Sequence, residues 1–113
     1  EHDRALARAR RTVEARVRRA RITTRCGTSR AVASSFREHE GAIVLVDVHR
    51  VMLGDCDGDG ALAADERAIT VDALPRDLRN AAWDVMLLER DGSRGVHNPA
   101  FAFALLGAIE SRL

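Results

Sequence analysis

Lysine and tyrosine are absent from this 113-residue chain, proline and cysteine occur twice each, and tryptophan once. All eighteen basic side chains are therefore arginine. With alanine abundant as well, this is the mark of a GC-rich coding sequence, and arginine number alone argues for no function. Long apolar runs are also missing: the densest, Ala42–Val46, is cut by Asp47, far short of the ~18 residues a membrane span needs. A soluble chain is expected. Two cysteines, Cys26 and Cys56, are too few for a disulfide framework, and Glu1-His2-Asp3-Arg4 has neither the basic nor the apolar part of a secretory signal. Both features point to a reducing cytoplasm. With only eight glycines and 46% hydrophobic residues, the length suits one compact domain spanning residues 1–113.

Charge is present but unevenly placed. Residues 1–30 hold ten arginines against three acids, whereas residues 31–113 hold eight against fourteen. Such asymmetry suits a segment that binds nucleic acid or an anionic membrane, or two parts of one protein that attract each other.

Residues 3–25 contain no glycine or proline, and Leu6, Val13, Val17 and Ala20 fall on one helical face. An Arg-rich, N-terminal helical region is expected over residues 1–40, with a break near Gly27. Residues 42–53 are apolar on nearly every side. Their β-branched residues would suit a buried strand, but the loop that follows favours a helix there.

That loop, residues 55–66, reads Asp-Cys-Asp-Gly-Asp-Gly-Ala-Leu-Ala-Ala-Asp-Glu. Asp55, Asp57 and Asp59 stand at positions 1, 3 and 5 of a twelve-residue calcium loop, each able to offer a carboxylate oxygen to a hard cation. Gly60 stands at the sharp turn, Ala61 would contribute its carbonyl, and Ala63 would leave its place to a water. Glu66 at position 12 would supply two oxygens. At about 6% usage per residue, this match arises by accident in roughly one chain of such length in ten thousand. Six or seven oxygens suit calcium better than the smaller, octahedral magnesium.

On these residues the chain resembles the EF-hand calcium-binding superfamily, and its composition is similar to small prokaryotic members related to calerythrin and the sarcoplasmic calcium-binding proteins. The resemblance implies an all-α fold of paired helix-loop-helix hands. An intact hand would cover residues 42–74, and a degenerate one residues 75–112. The second loop would fall at residues 89–100, where Arg94 and Ala100 replace the turn glycine and the bidentate glutamate, so it would hold no ion. Leu78, Ala81, Val85 and Leu88 would form the helix leading into it, Asn98-Pro99 would start the outgoing helix with Phe101, Leu105 and Ile109, and Val96 would pair with Leu62. The implied function is calcium binding as a buffer or modest calcium sensor.

The alternative is a calcium-stabilised interaction module whose basic helix binds nucleic acid or an acidic protein partner. Arg8, Arg11 and Arg18 are its candidate anion-binding residues. Intramolecular packing of that helix is the favoured reading, because Leu6, Val13 and Val17 need an apolar partner. No enzymatic activity is expected: there is no phosphate-binding glycine loop and no hydrolase elbow, and His39, His49 and His97 lack metal-ligand spacing.

Overall fold

The computed structural model describes residues 2–91, 104, 106–109, 111 and 113. Its architecture is mixed. Helix α1 (His2–Ala20) is followed by β1 (Thr23–Cys26), β2 (Ser29–Val32), β3 (Ser35–His39) and β4 (Ala42–Val46). A long irregular segment then leads to a 3-10 turn (Val71–Ala73) and helix α2 (Arg76–Asp91). The strands form two antiparallel hairpins, β1–β2 and β3–β4.

This overturns the all-α expectation. The two-residue connections Gly27-Thr28 and Glu40-Gly41 reverse the chain tightly. Glu40 and Gly41 both have positive φ, as the hairpin-favouring type I′ turn requires. The chain between Ile22 and Val46 therefore runs as strands, and the helix expected over residues 42–53 is instead β4 and a turn. Its apolar character on every side has a tertiary cause. Ile43 and Leu45 join the main core, while Val44 and Val46 pack on the opposite face with Met52. A strand buried on both faces loses the period-2 alternation that identifies it.

α1 lays Leu6, Ala9, Val13 and Val17 against Phe36 of β3 and against Leu78, Ala81, Val85 and Leu88 of α2, with Leu106 and Ile109 completing the core. The basic helix is thus docked on the body of the molecule. Arg10 anchors it: its guanidinium lies 4.4 Å from the Phe36 ring centroid, donates to the Phe36 carbonyl, and pairs with Glu14 at 3.2 Å and Glu89 at 2.6 Å.

After β4 the chain turns on Asp47, whose carboxylate accepts the N–H groups of His49 and Val51. Leu53 then donates to the Leu45 carbonyl, Leu45 to Ile69, and Ile69 back to Leu53. Both ends of the following loop are thereby pinned to β4. No helix among the described residues is long and apolar enough to cross a membrane.

Candidate metal centre

The loop expected to bind calcium folds around its own first aspartate. Asp55 is 5% exposed, and its two oxygens accept the N–H groups of Gly58 at 3.2 Å and Gly60 at 3.0 Å. Gly58 and Gly60 have φ of 69° and 84°, the left-handed region where glycine avoids the strain a side chain would suffer. Asp59 accepts the Ala61 N–H at 3.0 Å. These local bonds bring one oxygen each from Asp55, Asp57 and Asp59 to within 4.8 Å of one another. Asp57 and Asp59 are exposed.

Glu66 lies across the loop. Its Oε2 accepts the Cys56 N–H at 2.6 Å, and its Oε1 accepts the Ala63 N–H at 2.7 Å. It stands outside the three-aspartate cluster. Each carboxylate oxygen has two lone pairs, so one N–H bond per oxygen leaves a second direction for a cation.

Crowded carboxylates perturb each other. The Asp57 carboxyl is pushed above its ordinary value, first by its hydrogen bond with the Asp55 side chain, then by desolvation and by Asp59. Asp59 is held below, chiefly because the Ala61 N–H points at its ionised form. The three aspartates form an all-oxygen donor set that could hold a hard cation.

The surroundings of the loop correct the helix-loop-helix expectation. It is entered from Leu53 and Gly54 on β4's edge, and residues 66–69 leave it without helix. Among the described residues, no helix adjoins it on either side. The helix expected to leave the intact hand is replaced by an extended return to β4, where Thr70 bridges Val44. The first three residues of the expected degenerate loop, 89–91, end helix α2, and the rest of it, together with Val96, Asn98-Pro99, Phe101 and Leu105, lies outside the described residues.

Two further features escape the sequence pattern. Cys26 and Cys56 form a disulfide, joining the end of β1 to the loop's second residue, with their Cα atoms 5.3 Å apart. Neither is the free thiol that a reducing setting implies. Gly54, just ahead of the loop, packs directly against the Arg67 backbone. The even cysteine count was the only signal for the first, and the second had none.

Arg8, Arg11 and Arg18 are all exposed on α1, opposite its buried stripe, and none of them pairs with a described acidic side chain. Compared with known proteins, the chain matches no family model, no curated protein and no solved structure.

Proposed function

We propose that residues 55–66 bind one calcium ion, with Asp55, Asp57, Asp59 and Glu66 as side-chain ligands and Ala61 contributing its carbonyl. The observation that carries this reading is the convergence of Asp55, Asp57 and Asp59 within 4.8 Å. It is supported by the burial of Asp55; Glu66, which lies across the loop outside the cluster, would close the shell by turning toward the ion.

With both loop ends held on β4, an ion would stiffen the loop rather than swing one helix away from another. Buffering, or a modest sensor output through loop order, fits that setting. An oxidising compartment replaces the cytoplasm in this proposal, because a disulfide persists where thiols are not kept reduced.

Calorimetric titration tests the assignment. One calcium per chain is expected, with Glu66→Gln weakening binding at least about tenfold by removing a charge from the ligand set. A stoichiometry of zero or two, or an affinity indifferent to Glu66→Gln, would overturn it.

A further inference from the structure

We propose that the Cys26–Cys56 disulfide is a redox latch: its reduction releases the β1–β2 hairpin from the loop, and with it the order on which calcium binding depends. The second half of this statement rests on the calcium reading above. The first half does not.

Among the described residues, no hydrogen bond or ion pair joins residues 55–66 to β1 or β2. The covalent bond is the joint between them. Open clefts lie on either side of it. One, of about 290 Å³, is lined by Thr24, Asp47, Met52 and Asp57; the other, of about 560 Å³, by Arg25, Ala63, Glu66 and Arg67. Cys56 borders both and is exposed, so a reductant has a path to its sulfur. The hairpin's own hold on the body is at its base, where Ile22, Ala31 and Ala33 pack against the main core; the residues of β1 and β2 are all exposed or half-buried.

A dithiol reduces the bond in two exchanges. A reagent thiolate attacks Cys56 Sγ, the S–S bond breaks, and Cys26 leaves as a thiolate that takes a proton. The reagent's second thiol then displaces Cys56 from the mixed disulfide. The protein gains two electrons and two protons, and the dithiol becomes a cyclic disulfide.

Freed from β1, Cys56 no longer fixes the backbone between Asp55 and Asp57. Its N–H is also the group that holds Glu66 Oε2 across the loop. An ion binding to the reduced chain must order these residues itself, which costs affinity. Linkage makes the effect reciprocal, so calcium protects the disulfide from reduction by the same factor.

Hydrogen exchange and calorimetry on the full chain, oxidised and reduced with dithiothreitol, test the latch, alongside the Cys26→Ser/Cys56→Ser variant. Reduction should speed amide exchange across residues 23–32 while the amides of α1 and α2 stay protected. Calcium affinity should fall at least about tenfold, and the reduction midpoint of the native chain should move by about 30 mV between calcium and chelator, the equivalent of tenfold for two electrons. The midpoint measurement does not depend on the variant folding. Unchanged exchange across residues 23–32, or equal calcium affinity in the two redox states, overturns the latch and leaves the calcium reading standing. If the oxidised chain binds no calcium, the calcium reading fails, and hydrogen exchange alone then decides whether reduction frees the hairpin.

Discussion

A β-carbon at Gly54 would lie 2.0 Å from the Arg67 carbonyl oxygen. The two ends of the loop therefore meet backbone to backbone, at a residue whose φ of 106° already disfavours any side chain. Gly54→Ala should lower unfolding free energy by about 2–4 kcal/mol, because the added methyl must push the Arg67 backbone aside. At Gly41, also at positive φ but with open space around it, the same change should cost only about 1 kcal/mol. Urea unfolding of both variants checks this, and equal losses would contradict it.

Calcium should stabilise the chain by mass action, by about 2.7 kcal/mol at a hundredfold excess over its dissociation constant. The measurement is the thermal midpoint in calcium against chelator. A proton competes with the ion at Asp57, whose carboxyl sits above its ordinary value because of Asp55, desolvation and Asp59. Calcium affinity should accordingly start to fall on acidification at a higher pH than an ordinary aspartate would dictate. Asp57→Asn should bind more weakly and show a flatter pH profile.

Arg10 lies between Glu14 and Glu89, both partly buried. Arg10→Met would keep much of the contact with Phe36 but leave two neighbouring carboxylates without their cation, at a cost of about 2–3 kcal/mol in chemical denaturation.

Glu89 should behave differently. Burial raises its pKa despite the opposing pull of Arg10. A carboxyl raised in the folded state binds its proton more tightly there than in the unfolded chain. Its stabilising contribution is thus present below the unfolded pKa and is lost as pH rises through the folded value. Glu89→Gln, neutral throughout, should be at least as stable as the parent at neutral pH, with this advantage shrinking on acidification. Unfolding curves across the acidic range provide the check, and a clear loss at neutral pH would show that the ion pair outweighs burial.

Replacing Arg8, Arg11 and Arg18 together by alanine should change stability by no more than about 0.5 kcal/mol per site, since all three face solvent. Calcium affinity should hold as well. If the arginines serve nucleic acid, duplex binding by the parent must weaken with salt at about −0.9 per phosphate contacted, and the triple variant must lose it.

The elements legible in the sequence are those made by neighbours along the chain. The stripe of Leu6, Val13 and Val17 marks α1 because helical contacts lie three and four residues apart. The spacing of Asp55, Asp57 and Asp59 marks an acidic loop, because the N–H bonds these aspartates accept within it span five residues or fewer. What surrounds the loop was not legible. Whether Ile43 to Val46 became helix or strand depended on Phe36 and Leu45 pairing across a turn and on Met52 returning to cover the second face. The hand's helices were inferred from the loop, whose two ends are instead held on β4 through Leu53, Leu45 and Ile69. Arg10 was one arginine among eighteen until α1, β3 and α2 converged on it. The Cys26–Cys56 bond likewise joins residues 30 apart, brought together only once β1 and the loop had reached the same side of the molecule. Helical periodicity and the spacing of the acidic loop could be read from the order of residues; strand pairing, the arginine anchor and the disulfide depend on distant segments meeting, which the tertiary structure alone decides.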